Sequence, residues 1–209
     1  PNPVTMKQCR RLLEAVAAED RELQLGPAEV EIIVNSAVDW IDTDNTADFN
    51  GAEDDYYTSL PEPYRAANFW FTSVSELRAV RGVTPEIYEA VAPYLAALPV
   101  RQGKPTTINV NTASIPVLMS LGDSINRDNA EGWIEQSREK PITDVSSFAG
   151  FVDSDMAKYI GFRTEHFELK GFVSIGTVRL GMYSLLESDG QAVKTRLRQF
   201  DQHVLPGPH

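Results

Sequence analysis

The period of the apolar residues changes once along this chain, at Phe167, and that change constrains the fold more than any other feature. From there FELKGFVSIGTVRLGMYSLLESDGQAVKTRLRQF is rich in Val, Phe, Thr and Tyr, lacks Pro, and carries Asp189-Gly190 between strand-like flanks, a hairpin signal. Three antiparallel strands are expected. Before Phe167 the apolar residues recur at helical spacing in short pieces: Met6, Leu12, Leu13 and Val16 in one, then Val30, Ile33, Val34, Ala37 and Trp40 in the next. In SVSELRAV, Ser73 and Glu76 form a capping box, each side chain satisfying an amide that a first helical turn leaves unpaired. Gly82 ends that helix, and Thr84-Pro85 opens another with a hydroxyl cap and a Pro whose missing N–H costs nothing there.

The plan repeats in TINVNTASIPVLMSLGDSINRDNAEGWIEQ: an extended piece, a helix capped near Thr112, a turn at Gly122 and a helix carrying Ile134. ITDVSSFAGF and DSDMAKYIGF add two short capped helices. The expected fold class is therefore α+β, with an all-helical domain of helix-hairpin-helix or SAM-like type over residues 1–166 and antiparallel strands over 167–209. Three strands with one apolar face need a covering layer, the rest of which is expected outside this chain.

Composition narrows the functions open to such a chain. With 30 acidic against 19 basic residues the net charge is -11, which repels nucleic acid and anionic lipid unless a basic patch is segregated, and none is visible. The two hairpin turns, RGVTP and LGDSI, each hold one Gly, and Asp123 inside the second would repel a phosphate. No run of about 18 apolar residues is present, so no membrane span is expected. Catalysis would have to draw on Cys9, on His166, His203 and His209, and on scattered carboxylates, which is thin material. An acidic helix-hairpin-helix regulator and a hydrolase remain as alternative readings.

The densest chemistry lies in DWIDTDNTADFNGAEDDYY, residues 39 to 57, where seven carboxylates stand without a Lys or Arg. Hard divalent cations such as calcium take six to eight oxygen ligands, and closely spaced Asp and Glu on a loop are their usual source. Counting Asp42 as first ligand puts Asp44, Thr46, Asp48, Asn50 and Glu53 at the third, fifth, seventh, ninth and twelfth places of an EF-hand-like loop. Ala47 stands where that loop needs Gly, so a true EF-hand is not expected; a solvated acidic loop is the competing reading.

DWIDTD, GAEDDYY, PYRAAN, SVSELRAVRGVTPEIYEAVAPYLAALP and INVNTAS, in this order, resemble the K-type minor pseudopilin of the bacterial type II (general) secretion pathway, the GspK family. The resemblance implies a pilin-like antiparallel sheet interrupted by a large helical insert. It places the protein in the periplasm at the pseudopilus tip, in complex with the I- and J-type minor pseudopilins and with the H-type as a further candidate. It also implies structural calcium on an acidic loop spanning 42–55, held by Asp42, Asp44, Glu53 and Asp54, with Asp55 and Asp48 as weaker candidates. No enzyme activity and no nucleic-acid partner are implied. The family's long N-terminal hydrophobic helix, its cleavage site and the strand before the insert are absent here; a soluble fragment is expected, from a full-length protein anchored in the inner membrane.

Overall fold

The computed structural model describes residues 2–20, 22–99, 105–176 and 178–204, with side chains up to residue 200. The chain divides into two compact units, Pro1–Phe162 and Arg163–His209. The expected strand domain also included residues 205–209, which lie outside the described residues.

The first unit is helical because its apolar residues recur at helical spacing between well-formed caps. Helix α1 (Pro3–Glu19) starts on Asn2, whose side chain accepts from the Val4 amide, and α2 (Pro27–Ile41) starts with Pro at its first position. Their apolar stripes, Leu12, Leu13 and Val16 against Val30, Ile33 and Val34, share one core with Ile87 and Val91 of α4 (Pro85–Val91). Fully burying such side chains contributes about 1.5–3 kcal/mol each before chain entropy is set against it. Cys9 packs at the edge of this core, and burial pushes its thiol up to about 11, outweighing the opposite pull of Arg10. A thiol held so far from ionisation is a poor nucleophile.

A second core gathers Val110, Leu118, Leu121, Ile125, Trp133, Phe148 and Met156, from α5 (Ile115–Met119), α6 (Arg127–Glu139) and the segments around them. Two-residue strands β1 (Ile108–Asn109) and β2 (Ile160–Gly161) pair in parallel, a pairing too short to leave a periodic signal. Asn111 extends the tie: its side chain donates to the Ile142 carbonyl and accepts from the Ile142 amide, at 2.9 and 2.7 Å.

Several expected helices take another form. VSELRA is a 3-10 helix, Val74–Ala79, although its capping box is present as read, with Glu76 accepting from the Ser73 amide at 3.0 Å. The helix expected to be capped near Thr112 begins after Ser114, whose side chain makes no cap hydrogen bond, and Thr112 and Ala113 turn back onto the Asn109 carbonyl instead. Val145–Phe148 and Ala157–Tyr159 are also 3-10 turns; Asp144 caps the first, and no side chain caps the second. At these lengths a 3-10 turn closes its hydrogen bonds with fewer residues than an α-helix needs.

The LGDSI turn shows why its Gly does not make a phosphate site. A Cβ on Gly122 would lie 2.1 Å from the Phe151 carbonyl oxygen, so protein backbone fills the space that glycine opens. Asp123 accepts from Arg11 at 2.6 Å.

In the second unit, β3 (His166–Ile175), β4 (Val178–Ser188) and β5 (Val193–Val204) form an antiparallel sheet in the order β3-β4-β5. Asp189-Gly190 does mark the β4–β5 turn, where Asp189 Oδ1 accepts from the Gln191 and Ala192 amides. Alternation puts Phe167, Leu169, Val173 and Ile175 on one face with Leu180, Met182 and Phe200, and all of these but Met182 are exposed.

Candidate metal centre

The acidic stretch leaves α2, crosses an irregular loop and enters α3 (Asp54–Thr58). Its ends are fixed by a third core of Trp40, Ala52, Tyr57 and Val80, in which the Tyr57 ring packs edge-on against Trp40 and stacks on Tyr64. Tyr57 is 0% exposed and its hydroxyl accepts from the Arg81 amide at 3.2 Å. Arg81 also donates to the Gly51 carbonyl at 2.8 Å and lies over the Tyr56 ring. The RGVTP turn thus braces the loop from behind.

Asp39, on the last turn of α2, organises the loop from inside. It is 0% exposed and accepts from the Asp48 amide at 3.2 and 3.3 Å and from the Ala52 amide. A Cβ at Gly51 would lie 2.0 Å from Asp39 Oδ2, so only glycine lets the chain pass there. Asn35 donates to the Phe49 carbonyl at 2.7 Å, and Asn50 turns the chain through the left-handed region with φ of 64°. The sequence counted Asp39 among seven like charges and did not single it out. Its place one helical turn before the loop was the available signal.

With its ends fixed, the loop brings Asp42, Asp44 and Glu53 together: each offers an oxygen, and these lie within 4.8 Å of one another. They hold the first, third and twelfth places of the register counted from Asp42. The other candidates go elsewhere. Asp54 accepts from the Ala66 amide and from Arg65, both at 3.0 Å, Asp55 is exposed on the first turn of α3, and exposed Asp48 gives its amide to Asp39.

The electrostatics of the three converging groups are unbalanced. Glu53 is 3% exposed, both its carboxylate oxygens are buried without a hydrogen-bond partner, and so is Asp42 Oδ1. Desolvation, reinforced by Asp39, Asp42, Asp44 and Asp54, pushes the Glu53 carboxyl up to about 7 from its ordinary 4.5. Burial and then the neighbouring Asp44 push Asp42 upward as well. Buried charges are ordinarily paired or bound to metal. The donor set is all oxygen, with no His or Cys in the cluster, which fits a hard divalent cation and suits zinc poorly.

Comparison with known proteins agrees with this architecture. Models of "Type II secretion system (T2SS), protein K" match residues 1–100 and 108–163. Type II secretion system protein K of Pectobacterium carotovorum subsp. carotovorum is 32% identical over 188 residues, covering 85% of this chain and 56% of that protein. The protein of the same name from Pseudomonas aeruginosa is 32% identical over 219 residues, 99% of this chain and 60% of that protein. The chain therefore spans little more than half the length of these relatives. In fold it is similar to a chain in the crystal structure of the GspK-GspI-GspJ complex from the enterotoxigenic Escherichia coli type 2 secretion system, with a TM-score of 0.71, 24% identity, and coverage of 94% of this chain and 69% of that one. The chain belongs to the type II secretion system protein K family.

Proposed function

We propose that this chain is the periplasmic part of a minor pseudopilin at the tip of the type II secretion pseudopilus, supporting export of folded proteins across the outer membrane. The observation that carries this reading is the match of the protein K models to residues 1–100 and 108–163, almost the whole helical unit. Its partners are the I- and J-type minor pseudopilins, as in the complex containing its structural relative. Among the described residues no helix is long and apolar enough to cross a membrane. The exposed apolar face of β3, β4 and β5 suits a covering helix, and an N-terminal pilin helix of the full-length protein, anchored in the inner membrane, supplies it. The role is structural rather than catalytic.

The acidic loop holds calcium through Asp42, Asp44 and Glu53, supported by the convergence of these groups and by the unpartnered buried oxygens of Asp42 and Glu53. The ion supplies positive charge to a cluster that has none. Asp39, Asn35 and Arg81 position the loop around it.

Mixing the purified chain with the soluble domains of the I- and J-type proteins tests the assembly. A stable three-component complex by size exclusion with light scattering is the expected result; no association at concentrations well above 1 μM, roughly the weak limit for a standard interface, would overturn the tip assignment. Calorimetric titration with calcium tests the loop separately.

A further inference from the structure

The loop's backbone demands a chemically fragile dipeptide at its centre. Asn50 occupies the left-handed region, φ 64°, which Asn tolerates better than most residues with a side chain. Gly51 follows because any Cβ would strike Asp39. Together these needs create the one Asn-Gly pair in the sequence, with Asn50 exposed and Gly51 buried.

We infer that Asn50-Gly51 is a site of spontaneous deamidation, locked while the acidic loop is closed and released when it opens. In the reaction the deprotonated backbone nitrogen of Gly51 attacks Cγ of Asn50. A C–N bond forms, the bond to the side-chain amide nitrogen breaks, and ammonia leaves with a proton. The resulting succinimide takes up one water and opens at either carbonyl, leaving an aspartyl or an isoaspartyl at position 50. Asparagine is thermolabile through chemistry of this kind, and glycine after it removes the side chain that would hinder attack.

Three hydrogen bonds hold the backbone on either side of the reacting bond. The Gly51 N–H that must be lost donates to the Asp48 carbonyl at 2.8 Å. The Gly51 carbonyl accepts from Arg81 at 2.8 Å, and the Phe49 carbonyl from Asn35 at 2.7 Å. Closing the succinimide requires the peptide between residues 50 and 51 to rotate, and these bonds fix it from both sides. Release is irreversible in its effect. Either product adds a carboxylate to a stretch that already has seven, and the isoaspartyl form lengthens the backbone by one methylene where Gly51 is wedged against Asp39. A loop that has opened is thereby marked.

The lock does not depend on the proposed ion; only its strengthening by calcium does. The test incubates the purified chain at mildly alkaline pH in calcium, in chelator and unfolded in guanidinium chloride. Peptide mapping reads the amide-to-acid mass gain at position 50, and isoaspartyl methyltransferase labelling reads the branched product. The unfolded chain should convert fastest and the calcium sample slowest, roughly tenfold or more apart, as expected when reaction requires local opening. Asn35→Ala and Arg81→Met, each checked for folding by circular dichroism, should speed conversion in the folded state without touching the dipeptide. Conversion of the folded wild type within about threefold of the unfolded rate, or none in the unfolded chain, overturns the inference. Equal and slow conversion in calcium and chelator upholds the lock and counts against the ion.

Discussion

Arg11 and Glu53 are both nearly withdrawn from water, 8% and 3% exposed, yet the helical unit treats their charges in opposite ways. Arg11 meets two carboxylates, Asp123 at 2.6 Å and Asp153 at 2.7 Å, which tie α1 to the turn before α6 and to the segment before Met156. Its hydrogen bond to Asp123 holds the guanidinium charged, and the same bond holds Asp123 below the usual carboxylate range. Glu53 meets only other acids, and burial with their repulsion pushes it up to about 7. The chain itself supplies counter-charges to the first cluster, although Arg11 Nη1 is buried without a hydrogen-bond partner; the second has no counter-charge among its own members, and the proposed calcium would supply one. A buried charge that folding leaves unpaired is thus a more informative sign of a ligand than the density of like charges around it.

The largest expected effect comes from breaking the cluster whose charge the chain itself compensates. Asp123→Asn with Asp153→Asn leaves the Arg11 guanidinium buried without compensation, and should lower stability by about 2–4 kcal/mol, the range for stripping a buried ion of its partners discounted for their exposure. Urea unfolding should show the same loss in calcium and in chelator. A loss confined to one of the two buffers would mean that the clusters are not independent.

Glu53→Gln should do the reverse. Saturating calcium stabilises a protein that binds it only when folded, by about 2.7 kcal/mol at a hundredfold excess over Kd. In the variant the difference between calcium and chelator should fall below about 1 kcal/mol, while stability in chelator stays level or rises as repulsion is relieved. If the wild type shows no such difference, the loop is a solvated acidic surface.

The pH dependence carries the same signature. A Glu53 carboxyl raised from 4.5 to about 7 binds its proton more tightly folded than unfolded. Without calcium its stabilising protonation is fully present below the unfolded value and is lost as pH climbs from there through 7, on the order of 3 kcal/mol in all. Asp39 and Asp42, shifted the same way, add to the trend. Since the ion competes with that proton, calcium affinity should rise over the same interval. Thermal midpoints in chelator that increase from pH 5 to pH 8 would contradict the assignment.

How much of this was legible depended on whether the signal was local. The Ser73–Glu76 capping box, the change of period at Phe167 and the Asp189-Gly190 turn could be read because their partners lie within a few residues. The β1–β2 pairing and the Arg11 clamp were not, because they join segments 52 and 112 or more residues apart with one or two side chains and no period. The loop falls between these cases. Its candidate carboxylates follow from composition, but which of them converge was decided by tertiary contacts. Arg65 and the Ala66 amide occupy Asp54, and Asp39 sits inside the loop as a brace.

That division gives the smallest and sharpest prediction. Asp54 was a leading candidate beside Glu53, and only one residue separates their roles. Its carboxylate is already occupied, one oxygen by the Ala66 amide and the other by Arg65, which is 79% exposed. Exposed ion pairs contribute about 0–1 kcal/mol, so Arg65→Ala should shift stability by no more than that and leave calcium affinity unchanged. Asp54→Asn keeps an oxygen for the Ala66 amide and should cost a similar amount, again equally in calcium and chelator. Asp42→Asn, the same exchange at a converging residue, should instead weaken calcium binding measurably by calorimetry. If Asp54→Asn lowers affinity as much as Asp42→Asn does, the two hydrogen bonds that hold Asp54 must be given up on metal binding, and the boundary between the ligands and their brace moves one residue into α3.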